Sequence, residues 1–403
     1  MTPPTLTEVE EAFREHLHLP DPTPLHLVLG SVVANYLDED PMWLILVAPP
    51  SSGKTEFVSA LDLYGDAHAF SNSTVAGMAT YNNGGGGNGG LLFRFREQEA
   101  GRRFGIITIK ELGTILGQAA RDGGSSSLID ALREVYDGAF CRELGTAGGV
   151  EVPWVGKAGL VAATTEVIDD HHETIAAMGD RFVLYRLPPT TRAERFAKCD
   201  RLRNRSNPQA AREHLAEVVA AFLAPFVDRG GRAAVSDEEA ADLMVVADLT
   251  TRGRTHLARD RRSGQAIRRP QAEEPTRLFG ALCALLEGLR LIGVDRDAAW
   301  RHVIDCAFAS MPQERCRIMD ALVAVTGALS RAQVVEAAAG AGDEAVTWEL
   351  DCLRAYGLVE RWSGEGQAFR YTASAEDRDT WCTFRPPMES AWANVRSSAG
   401  RLP

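Results

Sequence analysis

No stretch of the 403-residue sequence is apolar for long enough to cross a bilayer, which takes about 20 residues, and no repeat of about 20 to 50 residues marks a solenoid or propeller. Paired cysteine is missing as well. Cys141, Cys199, Cys283, Cys306, Cys316, Cys352 and Cys382 are scattered with no CxxC spacing; an odd, unpatterned set fits reduced thiols rather than disulfides or zinc. The opening MTPPTLTEVEEAFREHL is acidic and amphipathic, without the basic-then-apolar order of a secretory leader, so a cytoplasmic protein with no membrane partner is expected. Positive charge is outnumbered, 43 Lys and Arg against 55 Asp and Glu for a net charge of -12, which argues against a chain coated in nucleic acid but permits a local basic channel.

What is present is an alternation of apolar runs and helical periods. Residues 7–38 read as two helices broken at PDPTP; MWLILVA, FGIITI, KAGLVAATT and RFVLYRLP read as buried strands, with SLIDALREVYD an amphipathic helix between them. Such an order predicts an α/β core with a mostly parallel sheet. YNNGGGGNGG has too little side chain to pack and reads as a flexible loop. After Pro188-Pro189 the pattern is helical to about residue 340, and the segment from SRAQVVEAAAG to FRYTAS reads helix, turn, helix and hairpin, the order of a winged helix. The expected divisions are N-terminal helices over 1–38, a core over 39–190, a helical region over 191–295, the winged helix over 296–385 and a tail over 386–403.

The chemistry concentrates in LILVAPPSSGKTEFVSAL, residues 44–61, where a buried strand breaks into a loop and resumes as a helix. Pro50 would stiffen the loop's entry, and Ser51, Ser52 and Gly53 would turn backbone N–H groups onto phosphate. Lys54 would supply a point charge to the β and γ phosphates, and Thr55 a hydroxyl ligand for Mg²⁺, with Glu56 following. The bland alternative is a strand–turn–helix with a surface lysine. The flanking strand and helix favour the cradle, so ATP and Mg²⁺ are the expected ligands.

With that loop as anchor, the order of motifs over about residues 25–295 resembles the AAA+ ATPases. Within them it is closest to the branch with a helix-2 insert and a hairpin before sensor 1, which includes the minichromosome-maintenance helicases. STVAGM with the Gly-rich loop and GGLLF is similar to the insert, GIITIKEL to Walker B, and LREVYDGAFCRELGTAGGVEVPWVGKAGLVAATT to helix 3, the hairpin and the sensor-1 strand. MGDRF and TRLFGALCALLEGL resemble the arginine-finger segment and the sensor-2 helix. The resemblance implies an AAA+ core, a helical lid over 191–295 and assembly into a homo-oligomeric, hexameric ring. It makes Thr165 sensor 1, with Thr164 beside it as the fallback. Arg181 becomes a finger reaching a neighbouring subunit, or else an arginine paired with a local acid. Arg277 becomes the lid's phosphate contact, or else pairs with Glu273 or Glu274. Glu111 takes the catalytic and Mg²⁺-holding role, but Lys110 stands where the family has aspartate. One carboxylate then serves both roles, or Glu56 or Asp137 assists.

The family's pore loops direct attention to DNA. Arg94, Arg96, Arg102 and Arg103 follow the insert, and Arg142, Trp154 and Lys157 lie on the hairpin. Arg252, Arg254, Arg259, Arg261, Arg262, Arg268 and Arg269 crowd one stretch opposed by Asp260 alone. A basic and aromatic set can track phosphates and stack on bases; equally, Trp154 can pack in the core and the arginines pair with acids. The second helix of the winged helix carries Glu344, Glu349 and Asp351, which repel phosphates and suit a protein partner. His171-His172 beside Asp169-Asp170 lacks further ligands at metal spacing and reads as a polar loop. Two functions follow: a ring-forming ATPase acting on DNA, as a helicase or replication factor of a mobile element, or a non-motor AAA+ regulator of a protein partner in defence or transcription control.

Overall fold

The structure is a computed structural model that describes residues 2–70, 74–79, 90–121, 127–144, 150–171, 181–204, 207–259, 266–325, 327–338, 342–363 and 368–385. The Gly-rich stretch 81–89 and the tail 386–403 lie outside the described residues. Two units are present, Met1–Val235 with Gly280–Val303, and Ser236–Phe279 with Ile304–Pro403. The N-terminal helices therefore share a unit with the sheet, and residues 191–295 are divided between the two.

The first unit is an α/β fold. Its strands are β1 (Trp43–Val47), β2 (Ala67–Ala69), β3 (Arg96–Glu97), β4 (Arg103–Ile109), β5 (Ala139–Leu144), β6 (Val150–Thr164) and β7 (Val183–Arg186). WLILV is buried at every position, and β4 is buried from Phe104 onward. Runs apolar on both faces belong inside a parallel sheet covered on both sides. The order is β2-β4-β6-β1-β7, all parallel, while β3 joins β4 and β5 joins β6 antiparallel. The helix Thr23–Ala34 is buried along its whole length, as its apolar sequence demands. The sequence reading starts the third strand at residue 157. In the structure β6 begins at Val150, because its first half is one arm of a hairpin with β5.

The second unit holds the helix Asp237–Arg254, the short pair β8 (Ala258–Arg259) and β9 (Ala266–Arg268), and the helix Gln313–Val323. A second sheet has the antiparallel order β10 (Leu329–Ser330), β12 (Arg370–Ala373), β11 (Val359–Trp362). Helices Arg331–Ala337 and Asp343–Ala355 lie between β10 and β11 in the chain. Arg315, 1% exposed, joins these parts: it donates to the carbonyls of Gly253 at 2.8 Å and Thr255 at 2.7 Å, and its Nε meets Glu349 at 2.5 Å.

Candidate functional site

In a parallel sheet the carboxyl ends of the strands share one edge, and a ligand site forms where neighbouring connections diverge. β1 occupies that place, flanked by β6 and β7, with Val47 in register with both Thr164 and Arg186. Both neighbours pin the start of the following loop: the Ala48 N–H donates to the Thr164 carbonyl at 3.2 Å, and the Leu187 N–H to the Val47 carbonyl at 2.9 Å. The loop then turns through two left-handed residues, Ser51 at φ 62° and Gly53 at φ 97°. No atom within 4 Å opposes a Cβ at Gly53, so glycine is required there by backbone conformation rather than by space. At Ser51 the same region costs a non-glycine residue about 1–2 kcal/mol, and strain of this kind gathers at ligand clamps.

Lys54 opens the helix Lys54–Ser59 and is only 5% exposed. Its ammonium donates to the Pro49 carbonyl at a long 3.4 Å and makes no ion pair among the described residues. An ammonium taken out of water without an anion costs several kcal/mol. The buried Ser52 Oγ makes no hydrogen bond among the described residues. Thr55 is exposed, whereas Glu56 is held by Arg212 at 2.7 Å. The loop thus offers a buried cation, an unsatisfied hydroxyl and an exposed hydroxyl, a set that fits a polyphosphate and its Mg²⁺.

Across β6 lies the end of β4, where Lys110 and Glu111 diverge. Lys110 pairs with Asp62 at 2.7 Å, the two side chains 42% and 39% exposed. Glu111 Oε1 accepts the Gly113 N–H at 3.2 Å. A Cβ on Gly113 would stand 2.9 Å from Glu111 Oε1 and 3.2 Å from Thr164 Oγ1, so carboxylate and hydroxyl flank one point. Thr164, 0% exposed, has an Oγ1 with no hydrogen bond among the described residues. Thr165 is past the strand and half-buried, its carbonyl taking the Ile168 N–H at 3.2 Å. The hydroxyl beside Glu111 therefore belongs to Thr164, the fallback of the sequence reading.

Several expected site residues are placed elsewhere. Arg181, expected to reach outward, has a side chain 4% exposed that meets Asp137 at 2.8 Å and lies 5.0 Å above the Tyr136 ring. An arginine in that position is committed to its own chain, and Asp137 and Glu56, the two acids expected to assist Glu111, are both taken. Lys157 is not a pore cation: its ammonium donates to the Leu37 carbonyl at 2.7 Å, and burial lowers its pKa to about 8 despite Asp38, Asp40 and Glu39 nearby. Trp154 is 2% exposed and packs edge-on to Phe95, which leaves no face for a base. Arg254, expected to contact DNA, is 2% exposed and grips Glu273 through bonds of 3.0 and 2.8 Å. Arg96 bridges Asp66 and Asp228, and Arg103 reaches Glu97 and the carbonyls of Phe93 and Phe95. Arg277 is exposed at the start of the helix Thr276–Leu291, in the part assigned to the second unit. Arg261 and Arg262, and the side chain of Arg142, lie outside the described residues. Glu349, expected to face phosphates, turns inward to Arg315.

These features define an α/β protein with a mostly parallel central sheet and a cation-bearing loop at its switch point. No family model matches the chain, and no curated protein matches it. Among the described residues no helix is long and apolar enough to cross a membrane.

Proposed function

We propose that the chain is a phosphate-loop ATPase of the AAA+ kind, with a winged helix in its C-terminal part, acting as an ATP-gated module on a protein partner. The observation that carries the ATPase reading is the convergence of Lys54, Glu111 and Thr164 at the carboxyl edge of one parallel sheet. β6 separates β1 from β4, and neighbouring strands lie about 4.8 Å apart. The strands that lead into the loop and into Glu111 are therefore roughly 10 Å apart, with Thr164 at the end of the strand between them.

In this reading Lys54 binds phosphate oxygens, and its burial excludes the water that would screen it. Thr55 and Glu111 are the oxygen donors suited to Mg²⁺, which when bound neutralises phosphate charge. Glu111 holds the attacking water and draws its proton, oriented by the Gly113 N–H; Thr164 donates to the same water or to a phosphate oxygen. With Lys110 turned to Asp62, one carboxylate serves where two are usual, so turnover is slow relative to binding.

A protein partner is preferred to DNA because Lys157, Trp154 and Arg254 are consumed inside the fold. The order of helices and hairpin around β10, β11 and β12 supports a winged helix, a fold that docks proteins as readily as DNA. The test is phosphate release from ATP across a magnesium titration, with and without single-stranded DNA. Magnesium-dependent release that DNA leaves unchanged, and that Glu111→Gln cuts about 10²–10⁴-fold, is the expected result. No release above background sinks the ATPase reading, and strong stimulation by DNA restores the motor.

A further inference from the structure

The helix Arg192–Asn204 sends Lys198 to the phosphate loop, where its ammonium donates to the Ser52 carbonyl at 3.1 Å. Lys198 makes no ion pair among the described residues. Glu194, one turn earlier, is taken by the Thr191 N–H at 2.6 Å at the start of the helix. That helix is basic in an acidic protein, with Arg192, Arg195, Lys198, Arg201 and Arg203 against Glu194 and Asp200. The next helix, Pro208–Leu223, holds the helix that follows the loop through the pair Arg212–Glu56.

A trans peptide sets its carbonyl and its N–H on opposite sides, and no described peptide bond is cis. A cation fixed on the Ser52 carbonyl therefore turns the Gly53 N–H the other way. At Gly53 φ is 97°, and among the described residues no atom stands within 4 Å of where a Cβ would be, so no side-chain packing fixes that plane. Pre-setting a donor removes an ordering cost that the ligand would otherwise bear.

We propose that Lys198 is a positioning residue for polyphosphate binding, holding the Ser52–Gly53 peptide so that the Gly53 N–H is presented to the β-phosphate. The inference rests on the phosphate-loop reading. It makes the helix after β7, rather than the exposed Arg277, the element that responds to nucleotide.

The experiment is equilibrium binding of ATP, ADP and AMP to the full chain and to Lys198→Ala, Lys198→Arg and Lys54→Ala, with the nucleotide-free melting temperature of each. Lys198→Ala should weaken ATP and ADP on the order of tenfold, leave AMP within about twofold and leave the melting temperature unchanged. Lys198→Arg should recover most of the loss. Lys198→Ala binding ATP as the parent does, while Lys54→Ala loses it, overturns this inference and spares the phosphate loop. Equal loss of all three nucleotides with a lowered melting temperature shows a mere prop and overturns it too. A parent that binds none of them overturns both readings.

Discussion

Lys54 and Arg254 are buried cations, 5% and 2% exposed, that meet the cost of burial in opposite ways. Arg254 carries its own carboxylate, Glu273, on two short bonds. Lys54 has one long bond to a carbonyl. A buried cation with its own carboxylate is part of the architecture, since the pair is complete without a ligand. One that has only a carbonyl is unfinished, and its missing partner is an anion. Arg315, 1% exposed and finished by Glu349, falls on the same side as Arg254.

The largest effect that can break this comparison is on stability. Arg254→Ala leaves Glu273 half-buried without its cation and should cost about 3–5 kcal/mol, read by denaturant unfolding of the second unit. A cost under about 1 kcal/mol would show that the pair is incidental and would reopen Arg254 as a surface contact.

A pH titration sharpens the comparison at Lys157, which has a carbonyl partner but acids close by. Its folded pKa is about 8 against an ordinary value of 10.5, so between those values the unfolded chain binds more protons. Stability should therefore rise as pH climbs from about 8 to 10.5 and fall away on the return toward 8. Lys157→Met should remove that rise; an unchanged profile would mean that the ammonium titrates as if in water.

The smallest effect is expected at Lys110. Its pair with Asp62 is exposed on both sides, so Lys110→Ala should change stability by about 0–1 kcal/mol and magnesium-dependent turnover by no more than a few-fold. A collapse of turnover would mean that the ammonium acts on Glu111 or on phosphate after all.

The strands of the core were legible because WLILV and FGIITI are apolar without interruption, and that pattern has few other homes. β2 was not, since Ala67, His68 and Ala69 make a three-residue edge strand with no pattern of its own. Strand order is invisible in sequence, and so was the fact that Thr164, not Thr165, comes beside Glu111; a one-residue shift at a strand end reverses which side chain faces the site. The arginines misled for a related reason. Charge clustering along the chain is visible, but Arg254 finds Glu273 at a separation of 19 residues and Arg181 finds Asp137 at 44. Partners that distant are supplied by the fold alone.

The central claim, that Lys54 awaits a nucleotide phosphate, is tested most directly by the melting temperature of the parent and Lys54→Ala with and without Mg-ATP. Ligand at a hundredfold its Kd stabilises the folded state by about 2.7 kcal/mol. The parent should therefore melt several degrees higher with ATP, whereas Lys54→Ala should start at or above the parent's nucleotide-free value, having lost a buried charge with no ion pair among the described residues, and show no shift. An equal shift in the variant, or none in the parent, would contradict the account.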